Sequence, residues 1–175
     1  MLAAPPKKLF GRENDLKIIQ NAFSFNNALY IHGQGGIGKT ALVSKLLYIL
    51  YQKRISEIFY INIPHHSDFS SFLDLILSKF LAHNSINISL SQTMSHDEKL
   101  DYFVELLQQK AIPICIDNLH HLAIENAKTF IEKILSHLFD SNVIFISRSP
   151  LPILESTIIT PFIYELVGIS FESAC

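Results

Sequence analysis

Gly33-Gln34-Gly35-Gly36-Ile37-Gly38-Lys39-Thr40 matches the pattern G-x-x-x-x-G-K-S/T of a phosphate-binding loop. Before it, Ala28-Leu29-Tyr30-Ile31-His32 reads as a short apolar strand. After it, Ala41-Leu42-Val43-Ser44-Lys45-Leu46-Leu47 reads as a helix. Four of the six glycines lie in this one stretch. Without a Cβ, they let successive backbone N–H groups curl around phosphate oxygens. The helix that follows adds the positive end of its dipole. Gly33, Gln34, Gly35, Gly36, Ile37, Gly38, Lys39, Thr40 and Ala41 are therefore the candidate nucleotide contacts. Lys39 supplies a point charge for the outer phosphates, and the Thr40 hydroxyl is a candidate ligand for Mg²⁺.

Outward from the loop, strands and helices alternate. Leu16, Ile19, Ala22 and Phe23 recur at helical spacing after Gly11-Arg12-Glu13, and the helix after the loop is expected to run to about Arg54. Residues 57–63 read as a strand stopped by Pro64. A helix from about Asp68 carries Phe69, Phe72, Leu73, Ile76, Leu77 and Phe80, and residues 84–93 are polar and irregular. Ser95-His96-Asp97-Glu98 fits a capping box that opens a further helix. Residues 112–116 form a strand that admits Pro113 only near its start, and a helix over roughly 125–139 precedes a strand over 142–146. A last extended segment is expected between Ile158 and Leu166. This alternation predicts an α/β fold, a parallel sheet covered by helices on both faces, with ligands at the carboxyl ends of the strands.

Two strand ends carry the remaining chemistry. Ile112-Pro113-Ile114-Cys115-Ile116 releases Asp117 and then Asn118. In phosphate-loop nucleotidases an acid so placed is the Walker B aspartate, which reaches Mg²⁺ through water. Asn142-Val143-Ile144-Phe145-Ile146 likewise delivers Ser147 and Arg148, and Arg148 is a candidate contact to the terminal phosphate. Lys39, Asp117, Asn118 and Arg148 are the catalytic candidates, with Thr40 and Asp117 the metal candidates.

The bulk composition narrows the setting. The 175 residues suit one domain, 49% of them hydrophobic and 17% charged, and the net charge of −2 gives no basic excess that would make nucleic acid the main partner. Two cysteines, Cys115 and Cys175, form no disulfide framework, and the start has no secretory pattern. No apolar run is long enough to span a membrane, so a reducing, cytoplasmic setting is expected. The adjacent pairs His65-His66 and His120-His121 lack zinc spacing and read as solvated turns.

Taken in order, Gly11-Arg12-Glu13, the glycine loop, the strand ending in Asp117 and the Ile146-Ser147-Arg148 strand end resemble the signal-transduction NTPases of the STAND class, which include NB-ARC and NACHT-like domains of the AAA division. The resemblance spans about Phe10 to Ala174. It implies a three-layer α/β/α P-loop NTPase with a central five-stranded parallel sheet of order 5-1-4-3-2. It also implies an ATP/ADP switch that uses Mg²⁺ and oligomerises with nucleotide, with the nucleotide held between this domain and following helical and winged-helix domains. By the same resemblance Arg12 lies near the nucleotide and Arg148 senses the terminal phosphate. Residues 1–10 are then a tail, 11–166 the nucleotide-binding domain and 167–175 the start of a helical domain that is missing. Many relatives carry a second acid where Asn118 stands; an amide positions water but cannot take its proton, so slow hydrolysis is expected. The other readings are an AAA-type ATPase coupled to mechanical or nucleic-acid work, and a truncated, non-enzymatic remnant.

Overall fold

A computed structural model describes residues 6, 9–51, 57–65, 67–86, 94–110, 112–137, 141–152, 154 and 157–168. The helices are α1 (Glu13–Phe25), α2 (Lys39–Leu50), α3 (Phe69–His83), α4 (His96–Lys110) and α5 (Ile124–His137). The strands are β1 (Ala28–His32), β2 (Phe59–Asn62), β3 (Ile114–Asp117), β4 (Val143–Ile146) and β5 (Phe162–Glu165). They form one five-stranded sheet in the order β2-β3-β4-β1-β5, with every pairing parallel. Read from its other edge, this is the expected order 5-1-4-3-2.

Alternation along the strands divides the core in two. Tyr30, Ile61, Ile116 and Phe145 face one side, where α3, α4 and α5 contribute Phe72, Phe80, Phe103 and Phe130. Leu29, Ile31, Cys115, Ile144 and Ile146 face the other, against Ile19 and Phe23 of α1 and Leu42, Val43, Leu46 and Leu47 of α2. Strands buried on both faces read as continuous apolar runs, which is why β1, β3 and β4 stand out in the sequence.

The boundaries differ from expectation by a few residues. Helix α2 begins at Lys39, two residues before the expected apolar stretch, because Gly38 (φ 101°) turns the chain directly into it. Strand β3 starts at Ile114; Pro113 has no N–H for the ladder, but its carbonyl accepts from Phe59 N–H at 2.9 Å. The capping box is formed: Ser95 N–H donates to Glu98 Oε2 at 2.7 Å, and Glu98 N–H donates to Ser95 Oγ at 3.3 Å. The end expected for the second helix, His66, residues 87–93 of the irregular loop, most of the tail and residues 169–175 lie outside the described residues. No helix among the described residues is long and apolar enough to cross a membrane.

Candidate functional site

The loop between β1 and α2 meets the carboxyl ends of β3 and β4 at a cavity of about 310 Å³. Gly35, Gly36, Gly38, Lys39, Thr40, Ala41, Asp117, Asn118 and Arg148 line it. The loop needs glycine for two separate reasons. Gly36 (φ 77°) and Gly38 (φ 101°) occupy left-handed backbone, whereas Gly33 (φ 146°) also lies so close to the exit of β5 that a Cβ would fall 2.3 Å from the Leu166 carbonyl oxygen. Gly35 lies beneath the Arg148 guanidinium, whose Cζ would be 3.2 Å from an added Cβ.

The polar groups are engaged with one another. Lys39 is buried, and its Nζ donates to the carbonyls of Gly33 at 2.7 Å and Gln34 at 2.8 Å. Burial lowers the pKa of that ammonium, and the Arg148 charge lowers it further, while Asp117 acts to raise it. Asp117 is 3% exposed, and its carboxylate accepts three hydrogen bonds. Oδ2 accepts from Thr40 Oγ1 at 2.8 Å and from the Tyr60 hydroxyl at 3.0 Å, and Oδ1 accepts from Asn118 N–H at 2.8 Å. Burial and the adjacent Asp117 charge push the Tyr60 phenol upward, so it stays a donor.

Asn118 adopts the left-handed conformation (φ 61°, ψ 38°), and its Nδ2 donates to Asn62 Oδ1 at 2.8 Å. Gln34 and Ile37 belong to the loop through their backbone, and Ile37 N–H donates to Gln34 O at 3.4 Å. Arg12 is outside the cavity lining but buried; its guanidinium donates to Ile37 O at 3.1 Å, to Val167 O at 2.7 Å and to Asp15 Oδ2 at 3.0 Å. It thus braces the loop from behind.

His65 lies exposed in a turn, as expected, whereas His120 and His121 depart from the expected solvated turn. Residues Leu119–His121 form one turn of 3₁₀ helix, His121 Nδ1 lies 2.8 Å from the Ile63 carbonyl, and Arg148 N–H donates to His120 Nδ1 at 3.3 Å. The ring of His121 lies between those of His65 and His120, tilted by 48° and 57° with centroids at 4.6 and 4.4 Å. Sequence reading missed Tyr60 and Asn62 as neighbours of the site; His120 follows Asp117 closely in sequence, but the sequence assigns it no role there. Tyr60 and Asn62 could be found only from the pairing of Asn62 with Asp117 and of Tyr60 with Cys115 across β2 and β3.

A hydroxyl and a carboxylate oxygen 2.8 Å apart beside a loop of backbone N–H groups are hard oxygen donors of the kind Mg²⁺ takes, with phosphate and water completing its shell. Among the described residues there is no group of three or more His, Cys, Asp or Glu that could hold a metal by protein ligands alone.

A family model described as an AAA domain matches residues 25–154. Among solved structures, Cdc6p from Pyrobaculum aerophilum aligns over 85% of this chain and 42% of its own, at 21% identity and a TM-score of 0.64. A STAND protein with a tetratricopeptide repeat sensor from Pyrococcus horikoshii aligns over 98% of this chain and 25% of its own, at 20% identity and a TM-score of 0.65. The Aeropyrum pernix ORC1 protein, solved in complex with DNA, aligns over 82% of this chain and 40% of its own, at 16% identity and a TM-score of 0.57. The chain thus spans less than half the length of each of these structures. No curated protein matches it.

Proposed function

The chain belongs to the AAA domain family of P-loop NTPases, and from that premise we propose that it is the ATP- and ADP-binding domain of a STAND-type signalling switch that hydrolyses Mg-ATP slowly. The observation that carries this reading is the convergence of Lys39, Thr40, Asp117, Asn118 and Arg148 on one cavity at the carboxyl ends of the strands.

The residues divide the work as follows. The N–H groups of the glycine loop and the first turn of α2 cradle the phosphates, and Lys39 exchanges the carbonyls of Gly33 and Gln34 for phosphate oxygens. Arg148, above Gly35, meets the terminal phosphate, and this contact is lost when hydrolysis releases that phosphate, which makes Arg148 the group that distinguishes the two nucleotides. Thr40 and Asp117 would hold Mg²⁺, which would neutralise charge on the outer phosphates. Asn118 stands where an acid would take the proton of the attacking water and can only orient that water, which supports slow turnover. A switch of this kind works against following helical domains and protein partners, which close on the nucleotide.

Thermal unfolding tests the reading. A ligand at 100 times its dissociation constant stabilises the fold by about 2.7 kcal/mol, so Mg-ADP or Mg-ATP should raise the melting temperature of the wild type, and Lys39→Ala should remove the rise. A folded wild type with no nucleotide-dependent shift refutes it. The ORC1 structure with DNA motivates a second reading, an ATPase coupled to nucleic-acid work. The net charge of −2 opposes it, and DNA-stimulated turnover near 1 s⁻¹, about the low end of ordinary enzymes, would establish it.

A further inference from the structure

We propose that Tyr60 is a positioning residue for the metal site: its hydroxyl fixes the Asp117 carboxylate in the orientation from which it serves Mg²⁺. This rests on the nucleotide-switch reading and extends it to the edge strand β2.

The register makes the contact. Tyr60 pairs with Cys115 and Asn62 with Asp117, and in parallel strands the side chains of paired residues share a face. Cys115 belongs to the core on the α2 side, and the Tyr60 ring packs against that same core, partly buried. From there the hydroxyl reaches two residue pairs further along the sheet to Asp117 Oδ2, at 3.0 Å. The ring is held by packing, so the donor is placed before any ligand arrives.

The other two donors to this carboxylate have different duties. Thr40 Oγ1 stands on the first turn of α2 and is itself the candidate ligand of the ion, so its position follows the metal. Asn118 N–H serves the other oxygen, Oδ1. Tyr60 is outside the lining of the cavity and has no phosphate or metal to meet. Its bond to Oδ2 therefore acts on the acid alone. It stops the carboxylate from rotating about its terminal torsion, which is otherwise broad. Carboxylates that ligate metals are held by such outer hydrogen bonds, and losing one costs about 10–100-fold in metal affinity.

Tyr60→Phe removes one oxygen and keeps the ring. Calorimetric titration of MgCl₂ into protein saturated with ADP should show half-saturation shifted upward by about tenfold or more, with ADP affinity in EDTA unchanged. In an Asp117→Asn background the same replacement should add nothing, because Tyr60 acts through that acid. Equal Mg²⁺ half-saturation in wild type and Tyr60→Phe overturns the proposal. So does a loss that persists undiminished beside Asp117→Asn, which marks a purely structural role. Wild-type protein that takes up no ADP with or without Mg²⁺ defeats the switch reading itself, an outcome seen before any variant is compared.

Discussion

Asn118 occupies left-handed backbone (φ 61°, ψ 38°) immediately after the buried acid. Asparagine is among the few residues that enter this region cheaply, so the residue type suits the turn as well as the chemistry. Asn118→Glu should therefore do two opposing things. It supplies a base for the attacking water, which is worth about 10²-fold in rate where well placed. It also strains the turn by about 1 kcal/mol and removes the donor to Asn62. Phosphate release should rise while the melting temperature falls; unchanged turnover would mean that the missing acid is not what limits hydrolysis. His120 is governed by burial first and by neighbouring charge second. Burial, then His121, Arg148 and Lys39, hold its pKa down to about 4, against the pull of Asp117. The unfolded ring takes up its proton near 6.5, so between about 6.5 and about 4 the unfolded chain binds more protons. Stability from this group is thus full above 6.5 and declines as the pH falls through that window. His120→Gln should flatten that part of the melting temperature against pH curve; a curve that keeps its slope would mean that His120 does not set it.

At the level of elements, helices and strands were legible to within a few residues because their signals are local. The capping box before α4 is one case, with Ser95 and Glu98 satisfying each other's N–H groups. Ser95→Ala should cost about 0.5–2 kcal/mol in denaturant unfolding, and Ser95→Thr should recover most of it. An alanine variant as stable as wild type would mean that solvent satisfies this helix end equally well. The glycine loop and the acid that ends β3 were readable for the same reason, since each adjoins an apolar strand. Strand order was not local information. Alternation implies a parallel sheet of many possible orders, and only the family resemblance selected the one in which β4 lies between β1 and β3. The contacts of Tyr60 and Asn62 were hidden for a related reason. Each looks like an ordinary strand residue until β2 is set in register with β3. Gly33 also carries a second meaning that no motif holds, the close passage of Leu166.

Across the whole molecule, Arg12 joins parts that are far apart in the chain. One guanidinium spans the start of α1 through Asp15, the phosphate loop through Ile37 and the exit of β5 through Val167. It is 7% exposed, so each of these bonds forms in a setting where water is a poor substitute. The Tyr164 hydroxyl donates to the other oxygen of Asp15, which fastens β5 to the same point. A loop braced in this way loses less conformational freedom when phosphate binds, so Arg12 should contribute to stability and to nucleotide affinity together. Arg12→Ala leaves two carbonyls and a carboxylate without their cation. It should lower unfolding free energy by at least about 1.5–3 kcal/mol, the worth of one hydrogen bond to a charged group. Arg12→Lys keeps the charge but not the planar fork, and a single ammonium cannot span the same three acceptors. Its stability should fall between the other two proteins. Calorimetry with Mg-ADP should rank affinity in the same order, wild type above lysine above alanine. If stability fell in that order while affinity stayed level, the brace would hold the fold without organising the loop, and the contact to Ile37 would carry no part of nucleotide binding.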